Sequence, residues 1–179
     1  MDELTEYLKS DNYNEIKLEQ ILNKKIIITK DHIRNIDIYY CCNHQINIIN
    51  LFEKYGYIFT NDDYIMLINK CGYAMQFIPK DKQTNEICKI AVQQDGYILY
   101  YISEDNKTNE ICEIAVRING DALQFVPNDK KINKICEIAV HQDGQALLYV
   151  PDDKKTDKIY KIAIEQNKYV LPYVPKFPH

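Results

Sequence analysis

The sequence predicts an all-α fold: tandem helix-turn-helix repeats forming a short α-solenoid. Three observations predict it. From Thr60 onward the 179-residue chain aligns with itself every 24 residues without an insertion, in five copies spanning 60–83, 84–107, 108–131, 132–155 and 156–179. Each copy carries apolar residues at helical spacing behind a first residue that is Thr in four of the five. Gly and then Pro interrupt most copies at fixed places, as punctuation between two short helices would.

Residues 1–59 are less regular. The stretches "IKLEQILNKK" and "INIINLFEKYGYIF" both have helical patterns, and this region is expected to form a divergent helical N-terminal cap, since terminal units of solenoids are usually atypical. Within each repeat, Thr60, Thr84, Thr108 and Thr156, each followed by Asn or Asp, are good N-caps. Ile87, Ile90 and Ala91 then fall at i, i+3 and i+4, with Cys88 and Val92 one residue along, which makes a wide apolar stripe. Ala91, Ala115, Ala139 and Ala163 share one place in the repeat, where a small side chain lets a neighbouring helix come close.

Gly72, Gly96, Gly120 and Gly144 follow the first helix, where a C-terminal cap with positive φ would need glycine. Lys168 stands there in the fifth copy, so that turn is expected to be strained or differently shaped. A second apolar cluster follows (Ile98, Leu99, Tyr101 and Ile102 in one copy) and fits a short helix better than strand alternation. Pro79, Pro127, Pro151 and Pro175 end that helix, and a polar loop such as "NDKK" leads to the next cap. One helix pair cannot bury both apolar clusters alone, whereas a stack can.

The unit "EICEIAVRINGDALQFVP", with its core "A-V-x-x-(N/D)-G-x-A-L-x-(F/Y)-V", resembles a family of short helical repeats of unknown function found in giant DNA viruses of amoebae and in some intracellular bacteria and protists. The resemblance covers residues 60 to about 175, with departures at Leu67 and Lys168. It implies a helical-repeat fold and a viral or intracellular source. The family has no established activity, so the resemblance carries over no catalytic residue. The segment "LFEKYGYIFTNDDY" resembles a degenerate ankyrin unit, but the 24-residue period excludes regular ankyrin repeats elsewhere.

The formal net charge is -4, with acids and bases interspersed, and no basic stripe marks a nucleic-acid surface. No run approaches the roughly 18 to 20 apolar residues that would cross a bilayer. The acidic opening "MDELTEYLKSDNYNEIK" is the reverse of a secretory signal. A cytoplasmic protein with reduced cysteines is therefore expected.

No enzymatic constellation emerges. Cys88, Cys112 and Cys136 recur at one place in the repeat, but units stacked roughly 10 Å apart hold such thiols too far from each other for zinc or a disulfide. Cys41, Cys42 and His44 lack a fourth ligand. His141 follows Glu137 by four residues, as Arg117 follows Glu113, which is ordinary pairing on a helix surface. Neither His32 nor His179 has an evident nucleophile beside it, and the only serines are Ser10 and Ser103.

The expectation is a non-enzymatic module that binds a protein partner, without cofactor, metal, nucleic acid or membrane. The alternative is a structural, self-associating component, for instance of a virus particle. Three places vary freely between copies: Tyr73, Tyr97, Asp121, Gln145 and Tyr169; Gln76, Tyr100, Gln124, Leu148 and Pro172; and Asn69, Gln93, Arg117, His141 and Glu165. The first two rows lie on the second helix, and exposed tyrosines are common interface anchors. The candidate partner-binding residues are therefore Tyr73, Tyr97, Tyr100, Gln124 and Tyr169.

Overall fold

The computed structural model describes residues 2–10, 14–44 and 46–175, and every regular element among them is helical. The His179 end of the fifth copy lies outside the described residues. The chain divides into two compact units, Met1–Gln83 and Thr84–His179, so the boundary coincides with a repeat boundary and the first repeat belongs to the N-terminal unit.

In the N-terminal unit, α1 (Glu3–Leu8), α2 (Glu15–Leu22), α3 (Lys30–Asn35), α4 (Ile38–Asn43) and α5 (Ile48–Lys54) precede α6 (Asn61–Lys70), the long helix of the first repeat. Leu4, Leu18, Ile33, Ile48 and Phe52 have no solvent exposure and form much of its core. Helices α3 and α4 pack on α6, and α4 and α5 pack on the 3-10 segment Gly72–Phe77 that follows it.

Gly56 ends α5 with φ +87°. Its N–H donates to the Glu53 carbonyl (2.9 Å), and the Tyr57 N–H donates to the Phe52 carbonyl (3.0 Å). This is the paired closure of a Schellman cap, which needs a residue free to enter the left-handed region.

The C-terminal unit stacks four repeats built on α7 (Asn85–Gln94), α8 (Asn109–Ile118), α9 (Asn133–Gln142) and α10 (Asp157–Gln166). Each α-helix packs on the next, and α8, α9 and α10 each also receive the 3-10 segment of the repeat before it. The second helix of every repeat is 3-10, as in Gly96–Tyr101 and Gly120–Phe125. Six residues lie between the break after the α-helix and an extended residue, and where Pro follows it offers no N–H to lengthen the ladder. The polar linker adds a single 3-10 turn, such as Asn128–Lys130.

The expected glycine caps are corrected by the backbone. Gly56 is the only described glycine with positive φ, so the repeat glycines do not serve as left-handed caps. Gly96, Gly120 and Gly144 make room for the following repeat. A Cβ at Gly120 would lie 2.5 Å from the Ala139 carbonyl oxygen, and one at Gly144 would lie 2.7 Å from that of Ala163. The Ala115 carbonyl crowds Gly96 in the same way. In the C-terminal unit the turn itself is set by the residue before each 3-10 segment. Asp95 accepts from the Tyr97 N–H (2.9 Å), Asn119 from Asp121 (3.1 Å), Asp143 from Gln145 (2.8 Å) and Asn167 from Tyr169 (3.0 Å).

Lys168 correspondingly causes no strain. Asn167 keeps the same extended backbone as its equivalents, and Lys168 starts a 3-10 segment like the others.

Ion pairs bridge successive repeats on the outer helix face: Lys89 to Glu110 (2.7 Å), Glu113 to Lys134 (2.7 Å) and Glu137 to Lys158 (2.6 Å). Helix capping is uneven by comparison. Thr84, Thr108 and Thr156 each accept an N–H from their helix's first turn, whereas Ile132, which is 41% exposed, cannot. Ile132→Thr is expected to stabilise the C-terminal unit by about 1 kcal/mol. A rise in the urea midpoint at constant slope would verify it, and an unchanged midpoint would count against the capping account.

Candidate functional site

The 3-10 segments of the C-terminal unit group Tyr97, Tyr100 and Gln124 around Asp121 and Phe125, which their spacing only partly anticipates. Residues three apart share a face in a 3-10 helix, so Tyr97 and Tyr100 stand on one side of their segment. Tyr100 is 63% exposed, with its ring edge-on to Tyr101 (centroids 5.1 Å apart) and Phe125 (5.3 Å). Tyr97 is half-buried against Phe125 (5.8 Å), and its hydroxyl donates to Asp121 Oδ2 (3.3 Å) in the next repeat. Burial first, and then the Asp121 carboxylate, push the Tyr97 hydroxyl above its ordinary pKa.

Gln124 is half-buried, and its amide donates to the Asp121 carbonyl (3.0 Å). Tyr169 is 87% exposed in the last repeat. Tyr73 lies in the N-terminal unit at 36% exposure. In the row that holds Gln124, the other C-terminal members Tyr100, Leu148 and Pro172 are exposed. A half-buried aromatic row of Tyr101, Phe125 and Tyr149 runs beside it.

The third variable row lies on the α-helices. Arg117 pairs with Glu113 (2.6 Å) as expected, but Glu137 pairs across the stack with Lys158. His141 lines a shallow groove with Arg117, Ile138, Gln142 and Ile162.

Cys88, Cys112 and Cys136 are buried. The Cys112 and Cys136 thiols donate to the Lys107 and Lys131 carbonyls (3.6 and 3.5 Å). Burial pushes Cys88 and Cys112 up to about 11, so these groups pack as thiols. His44 stacks on Tyr40 (3.8 Å). Among the described residues, no three metal-ligating side chains converge. One thiol pair that the spacing does not announce lies in the N-terminal unit, where Cys42 and Cys71 bring their sulfurs to 3.9 Å.

Two carboxylates of that unit are held ionised. The Thr5 N–H and then His32 hold Asp2 down at about 2, His32 Nε2 lying 3.1 Å from the carboxylate. Asp63 is fully buried at the place where the other repeats have Ile87, Ile111, Ile135 and Ile159. Burial alone would raise its carboxyl, but the Thr60 hydroxyl and N–H, the Tyr57 hydroxyl and Lys30 outweigh it and hold it low. Its Oδ2 accepts all three hydrogen bonds, while Oδ1 has none and sits 4.0 Å from the Lys30 ammonium.

Depressed carboxyls stabilise the fold above their unfolded pKa, near 3.8 for Asp, and that contribution is lost as pH falls through the folded value. The N-terminal unit should therefore weaken as pH drops from about 4 toward 2. Hydrogen exchange within residues 2–83 read at intervals over that range would show the loss, and Asp2→Asn should flatten it. A profile identical in the variant would remove Asp2 from the account.

A family described as a domain of unknown function (DUF4116) matches residues 63–107 and, displaced by about one repeat, residues 86–130. The matches fall on the first three repeats and carry no activity with them. Neither the curated proteins nor the solved structures yielded a match. No helix among the described residues is long and apolar enough to cross a membrane.

Proposed function

We propose that the chain is a non-enzymatic binding module whose C-terminal unit presents its 3-10 face to a protein partner. The observation that carries this reading is Tyr100, which is largely exposed yet held by the edges of two neighbouring rings. A large aromatic ring already immobilised in the free protein loses little conformational freedom on binding, and such rings dominate interface energetics. The residues level with it, Gln124, Leu148 and Pro172, change chemical class from unit to unit while the packed positions stay mostly small or aliphatic, so the row can encode a specific pattern. The cytoplasm, or a virus particle assembled there, is the setting that goes with this reading.

Affinity capture with wild type and a Tyr100→Ser, Leu148→Ser variant tests it. Both side chains are about half exposed or more, so the variant should keep its melting temperature. Loss of the captured protein by the folded variant supports the module. Equal capture by both chains rules out this face.

Self-association is a second reading, favoured by the last repeat. Leu171 is 53% exposed whereas its equivalent Leu147 is 1% exposed, and Tyr173 beside it is 60% exposed. Sedimentation over a range of concentrations separates the two readings. A single monomeric species would dismiss the second, and concentration-dependent dimers abolished by Leu171→Asp would support it.

A further inference from the structure

Two thiols of the N-terminal unit are in contact without being joined. Cys42 lies in the last turn of α4, and Cys71 is the first residue after α6. Their sulfurs are 3.9 Å apart, 29 positions separate them in the chain, and both residues keep slight solvent contact at 9% and 8% exposure. The Cys71 thiol donates toward Cys42, and the Gln76 side chain also reaches the Cys42 thiol. Neighbouring Cys41 is fully buried, and no contact joins it to Cys71 among the described hydrogen bonds.

We propose that Cys42 and Cys71 form a reversible, redox-controlled disulfide that staples α4 to the end of α6. The bond needs the two sulfurs to close from 3.9 Å to about 2.05 Å, a movement within reach of side-chain rotation and a small backbone shift. The oxidant is a low-molecular-weight disulfide of the glutathione type. One protein thiolate attacks it and releases one small thiol. The second protein sulfur then attacks the mixed disulfide and releases the other. Two protein thiols are oxidised to one disulfide, and one small disulfide is reduced to two thiols that carry the two protons. Burial holds the Cys42 thiol well above its ordinary range, so at neutral pH it rests as the protonated thiol and exchange waits on opening of the six-residue α4.

The staple also bears on the rest of the unit. Cys71 leads directly into the 3-10 segment that carries Tyr73 and Gln76, and α4 packs on that segment. Oxidation therefore adds a covalent tie to a stretch that reduction leaves held by packing and hydrogen bonds.

The full chain equilibrated in glutathione redox buffers, acid-quenched, alkylated and digested with trypsin tests the proposal. The expected product is one cross-link between the peptides holding Cys42 and Cys71. It should persist in Cys41→Ser, vanish in Cys71→Ser, and form with an equilibrium constant roughly a hundredfold greater in the folded chain than in urea. Alkylation of Cys88, Cys112 and Cys136 should stay unchanged. A cross-link that forms equally in urea, that runs from Cys41, or that is absent at every redox poise would overturn the proposal.

Discussion

Gly96→Ala should destabilise the C-terminal unit by about 3 kcal/mol, although the backbone there suits any residue. The added methyl would meet the Ala115 carbonyl oxygen and the Asn119 Cβ. That carbonyl is tied into the end of α8, where it accepts from the Asn119 N–H (2.9 Å), so it cannot swing aside without breaking the helix end. Gly120→Ala should behave alike, since its added methyl would meet the Ala139 carbonyl oxygen and the Gln142 side-chain oxygen of the next repeat.

Gly56→Ala provides the contrast. Nothing lies within 4 Å of its Cβ position, and the cost is the left-handed backbone alone, roughly 1 to 2 kcal/mol in the N-terminal unit. Urea unfolding of each variant, read by hydrogen exchange in the two units, distinguishes the mechanisms. A Gly96→Ala chain within about 0.5 kcal/mol of wild type would show that the repeats are not packed this tightly.

Leu147→Ala and Leu171→Ala should differ greatly although they occupy the same place in adjacent repeats. Leu147 is 1% exposed between two repeats, and its truncation leaves a cavity worth about 2 to 5 kcal/mol. Leu171 is 53% exposed and has no described repeat beyond it, so its truncation should cost under about 1 kcal/mol. Comparable losses for both would mean that something covers the end of the stack in solution, and the self-association reading would gain accordingly.

Much of this fold was legible from periodicity. The threonine caps, the Ile-Cys-Ala-Val stripe and the break before the second helix follow from residue chemistry that acts within one turn of chain. The glycines were legible as turns but misread as to cause. A glycine after a helix can serve positive φ or close approach, and one repeat in isolation does not distinguish them. Lys168 held the clue, since a positive-φ requirement would bind every copy. The Asx caps at Asp95, Asn119, Asp143 and Asn167 went unread beside the more conspicuous glycines.

Helices α1, α3 and α4 have six residues each, too few for a period to register, and their order comes from tertiary burial. In the candidate site, the sequence located the variable rows but not the difference between Tyr97 and Tyr100, because the reach of a hydroxyl into the next repeat is a property of the stack. The meeting of Cys42 and Cys71 depends on how α4 lies against α6, and no local pattern records it.

The ion pairs between repeats give the array a grammar. Lys89 faces Glu110, but Glu113 faces Lys134 and Glu137 faces Lys158, so the polarity reverses after the first pair. Exchange of the units 84–107 and 108–131 would set Glu113 opposite Glu86, two like charges where there had been an attraction. Each exposed pair is worth less than about 1 kcal/mol, too little to hold the stack together. It is enough to make one order of near-identical modules better than its permutations, so that a chain assembled by duplication reads in one direction only, like dominoes laid end to end.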